Sequence, residues 1–265
     1  MIKKIGFIVI LASGILASFG ATKSFANDAL HIAVASNFLA TLKAVSRDFT
    51  QQTGIKVHIS NGATGMLYAQ IQRGAPYDLF FSADDKRPRL LEQKGITEPG
   101  SRFTYVIGKL VVWSPNPEKL SANLATLQAD NAALHFMAIA NPKTAPYGEA
   151  AKAALEFYGL YAPLKAENKL ALGENIGKAY HYVISGNAQI GLVAKSYVAN
   201  PERPVKGEFR DIPSHLYPEI AQQAVILKGK NSQAVQAFLN YFKSAKVQSI
   251  IESYGYGLPS VNQIK

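Results

Sequence analysis

Short apolar runs alternate with amphipathic runs along nearly all of this 265-residue chain, and that alternation restricts the fold more than any other feature. Leu30 to Ala35 reads as a buried strand. Phe38, Leu42, Val45 and Phe49 then recur at helical spacing, and Gly54 is placed to end that helix with a left-handed C-cap. Ile55 to Ser60 is a second strand and Leu67 to Arg73 a short helix closed by Gly74. Asp78 to Ser82 is a third strand, followed by a helix to Lys94 that Asp84 and Asp85 can cap. A strand–helix–strand–helix order predicts a parallel sheet covered on both faces.

The pattern then breaks and restarts. Phe103 to Trp113 is a long β-rich run that ends at Ser114-Pro115-Asn116-Pro117. Beyond it come a strand at Phe136 to Ala140, a helix at Tyr147 to Tyr158, a strand at Ala166 to Leu172, a helix at Asn175 to Ser185 and a strand at Gln189 to Ala194. Gln222 to Leu227 is again β-rich, and two amphipathic helices near Ser232 to Lys243 and Ala245 to Tyr254 close the chain. Two β-rich runs thus bracket a self-contained α/β segment. The simplest arrangement is two α/β lobes joined by two crossover strands, with residues 27–109 and 222–265 forming one lobe and residues 110–221 the other. A cleft between such lobes is where small ligands bind and around which hinges close.

Residues 1–26 read as a secretory leader: Lys3 and Lys4, an apolar stretch from Ile5 to Phe19, and small residues at Ser24 and Ala26. The mature chain is expected to begin near Asn27 and to hold 239 residues. Losing Lys3, Lys4 and Lys23 without any acid takes the formal net charge from +10 to +7. Cysteine is absent, which rules out disulfides and a cysteine-attached lipid and points to a free protein in a Gram-negative periplasm. The lysines are scattered, with no basic stripe interleaved with aromatics, so nucleic acid is not an expected partner.

Chemistry concentrates at four places where a strand or loop meets a helix start: Ala35-Ser36-Asn37, Ala63-Thr64-Gly65, Ala145-Pro146-Tyr147-Gly148 and Glu174-Asn175-Ile176-Gly177. Small residues there leave helix N-terminal N–H groups bare, which makes an anion cradle built from dipoles. Ligands of open α/β sheets sit beyond the carboxyl ends of the strands, so the four junctions can converge on one cleft, two from each lobe. Ser36 and Thr64 add hydroxyl donors and Tyr147 a phenol. Taken singly, Ser36 or Thr64 reads as an N-cap and Tyr147 as packing. The set of four favours capture of an oxyanion.

The residues also carry a family resemblance. The chain resembles the periplasmic molybdate-binding proteins of ABC transporters, the ModA family, over essentially its whole mature length. The most specific landmark is the run Gly74-Ala75-Pro76-Tyr77-Asp78-Leu79-Phe80-Phe81-Ser82-Ala83-Asp84. Ala33 to Asn37, Gly62 to Ile71, Ala140-Asn141-Pro142, Pro146-Tyr147-Gly148, Gly186 to Val193 and Tyr254-Gly255-Tyr256-Gly257 support it. The resemblance implies a class II periplasmic binding protein fold, no catalysis and no cofactor. It implies a monomer that holds molybdate or tungstate and hands it to an ABC permease in the inner membrane. Carried over position by position, the oxyanion contacts fall on Ser36, Asn37, Thr64, Tyr147 and Ile176, the last through its backbone N–H, with no cation ligated directly. Some family members place a donor tyrosine just after the Gly-Leu-Val strand, where this chain has Ala194; others place it in the Pro-x-Gly segment, as Tyr147 is here. Thr64 stands where serine is more usual.

Two other readings compete. A binder of sulfate, phosphate or a small carboxylate could use the same scaffold, although a carboxylate is usually clamped by arginine and no junction carries one. A secreted hydrolase could draw on Ser36, His31, His58 and Asp78, but no Gly-x-Ser-x-Gly elbow is present and both histidines sit inside strand-like runs. The five histidines show no metal-ligand spacing.

Overall fold

The computed structural model describes residues 29–118, 123–129 and 134–260. The expected leader at residues 1–26 and the cleavage point near Asn27 lie outside the described residues. Among the described residues, no helix is long and apolar enough to cross a membrane.

Two five-stranded sheets form the two lobes. The first takes β1 (Ala29–Ala35), β2 (Lys56–Gly62), β3 (Leu79–Phe81) and β4 (Phe103–Gly108), interleaved with α1 (Leu39–Thr53), α2 (Thr64–Gln72) and α3 (Lys86–Gln93). The second takes β5 (Leu110–Ser114), β6 (Met137–Ala140), β7 (Leu170–Gly173), β8 (Ile190–Ala194) and β9 (Glu208–Asp211), with helices α4 (Leu124–Ala129), α5 (Pro146–Phe157), α6 (Tyr161–Ala166), α7 (Ile176–Ile184) and α8 (Lys195–Val198). The chain then returns to the first sheet as β10 (Ile220–Ile226) and ends in α9 (Gln233–Phe242) and α10 (Ala245–Ser253).

The strand order is β2-β1-β3-β10-β4 in one sheet and β7-β6-β8-β5-β9 in the other. Each has three parallel strands at one side and an antiparallel strand from the crossover inserted next to them. Parallel strands buried on both faces are apolar along most of their length, and β1 is so apart from the exposed His31: Leu30, Ile32 and Val34 enter one core while Ala33 enters the other. The first core is aromatic, with Phe38, Phe81, Tyr105 and Phe242 packed ring against ring. Gly54 ends α1 at φ 76°, its N–H bonded to Thr50 O at 2.9 Å.

The structure refines several expectations. The run from Phe103 to Trp113 is two strands, β4 and β5, which belong to different sheets and are parted by Lys109 alone. Strand β10 joins the first sheet from Ile220, two residues before the expected start of the β-rich run. Asp84, rather than Asp85, caps α3: its Oδ1 accepts the Arg87 N–H at 2.9 Å, and Asp85 makes no capping bond. The expected strand at Ala166 to Leu172 is the end of α6 followed by β7. Strand β9 escaped the apolar pattern because it is an exposed edge, with Glu208, Arg210 and Asp211 on it.

Candidate functional site

The two halves meet over one small cavity. Ser36, Asn37, Thr64, Tyr147 and Ile176 all line it, together with Ala35, Gly62, Ala63, Ala83, Ala145, Pro146 and Asn175. Residues from all four junctions are therefore brought together, and no lysine or arginine is in the lining. The nearest guanidinium at the second junction, that of Arg87, is ion-paired with Asp84.

The helix starts explain what the cavity offers. A three-residue 3-10 turn, Ser36–Phe38, runs directly into α1; its N-cap is Ala35. The N-caps of α2 and α5 are Ala63 and Ala145. None of the three makes a side-chain capping bond. Alanine is among the poorest N-cap residues, and forgoing Ser, Asp or Asn there costs about 0.5–2 kcal/mol per helix. Where α9 and α10 start away from the cavity, Ser232 and Ser244 cap in the ordinary way. Helix α7 is intermediate: Asn175 Oδ1 accepts only the Lys178 N–H, at 3.1 Å, which leaves the Ile176 and Gly177 amides ahead of it. The first amides of a helix have no carbonyl of their own helix to bond. The cavity is thus faced by bare N–H groups at the positive ends of helix dipoles. Pro146 at the first position of α5 has no N–H to offer, so the Tyr147 amide is the first of that helix.

The hydroxyls add to this set. Ser36 is only 4% exposed, and its Oγ has no hydrogen-bond partner. Thr64 Oγ1 accepts the Ala83 N–H at 3.2 Å, which leaves its own proton to donate. Neither hydroxyl is used as an N-cap. The Tyr147 hydroxyl likewise accepts, from the Gln222 side-chain N–H at 3.1 Å, and keeps its own proton; it lies against Gly108, in the hinge between the lobes. Burial pushes the hydroxyls of Tyr105, Tyr147 and Tyr256 well above the ordinary phenol range, so they stay neutral.

The lobes are closed on each other. The Gly65 amide donates to Thr144 O at 3.0 Å, Tyr197 Oη to Ser36 O at 2.8 Å and Ser196 Oγ to Asn37 O at 2.9 Å. Gly177 permits that approach, since a Cβ there would fall 2.8 Å from Tyr197 Oη. Ala194 caps α8, and three residues further on the hydroxyl of Tyr197 donates to Ser36 O of the other lobe. Sequence reasoning did not single out Tyr197, Ser196, Tyr256 or Gln222. For Tyr256 the signal was its place in the Tyr-Gly-Tyr-Gly tail; for the others only the fold supplies it.

A hydrolytic triad does not assemble. His31 lies five residues along an extended strand from Ser36, roughly 16 Å at about 3.3 Å per residue. Its ring lies tilted at 36° against that of His58, 5.0 Å away, and both are exposed on β1 and β2. Asp78 accepts the His31 backbone N–H at 2.8 Å, which is a strand-end contact. Among the described residues, no group of three or more metal-ligating side chains is present.

Comparison with known proteins agrees with this geometry. A family profile described as bacterial extracellular solute-binding protein matches residues 30–257. The molybdate-binding protein ModA of Azotobacter vinelandii is 44% identical over 95% of this chain and 96% of its own. That of Rhodobacter capsulatus is 41% identical over 84% of this chain and 86% of its own. The solved periplasmic molybdate-binding protein of A. vinelandii superposes with a TM-score of 0.81 at 40% identity, covering 87% of this chain and all of the other.

Proposed function

The chain belongs to the bacterial extracellular solute-binding proteins and, within them, to the ModA family, and from this we propose that it binds molybdate in the interlobe cavity and delivers it to an ABC permease. It works in the periplasm, exported by the leader at Met1–Ala26, as a monomeric carrier without catalytic activity. Tungstate, of the same charge and shape, is a second ligand. The contacts are the Ser36 and Thr64 hydroxyls and the backbone N–H groups of Asn37, Thr64, Tyr147 and Ile176.

One observation carries this reading: a buried hydroxyl without a partner, Ser36 Oγ, sits among helix starts that carry alanine where a cap belongs. Buried donors normally find acceptors. A cavity that leaves several donors open, and brings no positive side chain, fits a guest that is all acceptor. Taking a dianion out of water is expensive. Hydrogen bonds to a charged group offset this at about 1.5–3 kcal/mol each, and the helix dipoles add to them. Monoprotonated phosphate also carries a donor, which the backbone amides facing the cavity cannot accept. Sulfate has the right charge but is smaller, so the donors reach it poorly.

Thermal unfolding with molybdate, tungstate, sulfate, phosphate and a set of small carboxylates tests the reading. Molybdate and tungstate are expected to raise the melting temperature most. At a hundredfold excess over Kd the added stability is about 2.7 kcal/mol. A larger shift with phosphate or a carboxylate, and none with molybdate, overturns it. Within the site, Thr64→Val is expected to weaken molybdate binding roughly 10- to 150-fold by removing a donor to a charged acceptor, while Thr64→Ser keeps most of the affinity. Titration calorimetry of both variants checks the order. Equal affinities would take the Thr64 hydroxyl out of the site.

A further inference from the structure

Behind the cavity lies a buried polar cluster that anion contact alone does not explain. Gln222 is fully buried on β10, at the point where the pairing with β4 slips by a residue. Its Oε1 accepts from Asn37 Nδ2 at 2.8 Å and from Tyr105 Oη at 2.9 Å, and its Nε2 donates to Tyr147 Oη at 3.1 Å. Asn37 Nδ2 also donates to Tyr256 Oη at 3.1 Å, and that hydroxyl donates back to Asn37 O at 2.7 Å. Asn37 and Tyr147 line the cavity from opposite lobes. One side chain, on a strand entering from the crossover, therefore grips a cavity residue of each lobe.

Space has been cleared for that grip. Gly108 ends β4, next to the one-residue link to β5. A Cβ there would lie 2.4 Å from Tyr147 Oη and 2.6 Å from Gln222 Nε2. Gly108 is not among the glycines with positive φ, so it serves close approach rather than an unusual turn. Every member of the cluster is uncharged, so it adds no field of either sign behind the guest. A buried amide that served packing alone would be better replaced by an apolar residue, since burying polar groups costs energy unless every bond is made. Here three bonds are made, and they span the hinge.

We propose that Gln222 is a positioning residue for anion capture: it ties Asn37 of the first lobe to Tyr147 of the second, so that the closed hinge and the completed set of donors are one state. This rests on the reading of the cavity as a molybdate site. Loss of the tie lets the lobes part while the guest is bound, and the effect falls on release rather than capture.

Stopped-flow measurement of molybdate association and release, on wild type and variants of the full mature chain, tests it. Gln222→Met is expected to raise the release rate about tenfold, with association within about twofold of wild type. Gln222→Asn retracts the amide but keeps it in place, and is expected to do the same if Gln222→Met does not fold. Tyr147→Phe removes the hydroxyl that Gln222 holds and is also expected to speed release. The double variant is expected to release no faster than the more affected single variant, because both break one link. Wild-type release rates in both Gln222 variants, or a double variant equal to the product of the singles, overturn the proposal even if the wild type binds molybdate tightly. A wild type that does not bind molybdate overturns the functional reading, and this inference with it. A merely structural Gln222 would lower the melting temperature of the ligand-free protein and leave release unchanged.

Discussion

Ala63→Asp is expected to abolish molybdate binding while raising the melting temperature of the ligand-free protein. Aspartate is among the best N-cap residues, and in α2 the Gly65 amide that a cap would take is bonded across the lobes, to Thr144 O, and so is free only when the lobes part. The new carboxylate takes that amide, with a gain of about 1 kcal/mol in the open protein. It also places a negative charge in a cavity whose wall includes Ala63. Two unit charges 4 Å apart repel by about 4 kcal/mol at an effective dielectric constant of 20. A dianion meets that repulsion twice, so the affinity is expected to fall by more than roughly a thousandfold. Calorimetry with molybdate and a melting curve without it read the two effects separately. Retained binding would mean that the guest does not sit at the start of α2. The opposite signs matter, since a variant that merely disrupts the fold would lower both quantities.

Gly148→Ala is expected to damage both the second lobe and the site. A Cβ at this position would lie 2.5 Å from Ala140 O, 2.7 Å from Asn141 C and 2.8 Å from Asn141 O. All three obstacles are backbone atoms at the end of β6, so no side chain can swing aside. Overpacking of this kind costs about 1–3 kcal/mol and occasionally more. With backbone on one side and the helix on the other, a loss of about 3 kcal/mol is expected, or roughly 6–12 °C in melting temperature for a chain of this size. The first turn of α5 can relieve the clash only by moving off β6, and it takes the Tyr147 amide with it. Molybdate is then expected to protect the variant much less than it protects wild type. A melting curve and ligand-induced shift equal to wild type would show that the helix start is softer than the geometry implies.

Much of the architecture was readable from the chain because it rests on local regularities. Strand β6 is a continuous apolar run and β1 one broken only by His31, α1 and α9 carry apolar residues at helical spacing, and Gly54 ends α1 as its position foretold. The division of Phe103 to Trp113 into two strands was not readable. Gly108-Lys109 is an interruption that a single strand could carry, and only the separate pairing of β4 and β5 shows the change of sheet. Strand β9 was missed because an exposed edge needs no apolar residues. Helices α4 and α6 have six residues each, too few to show a period.

The four junctions were legible for a related reason. Small residues between a strand and a helix form a local signal, and the five predicted site residues line one cavity. The fate of the Tyr147 hydroxyl was not legible. It depends on Gln222, 75 residues away in sequence, and on the missing side chain of Gly108. The three alanine N-caps were visible from the start, and their meaning appears only beside the ordinary caps of α9 and α10.

The single residue between β4 and β5 sets the mechanical advantage of the whole molecule. With Lys109 alone between β4 and β5, one of the two crossovers turns at Gly108, beside Tyr147, and the outer rims are the long arms of a lever. Groups close to a fulcrum travel little when the arms swing. Asn37 and Tyr147, close to that fulcrum, part less than rim contacts such as Gly65 to Thr144 and Arg47 to Glu202, and only with the jaws shut does Gln222 join them. A guest can thus meet a half-assembled nest before the jaws shut, and its capture need not wait for a rare spontaneous closure.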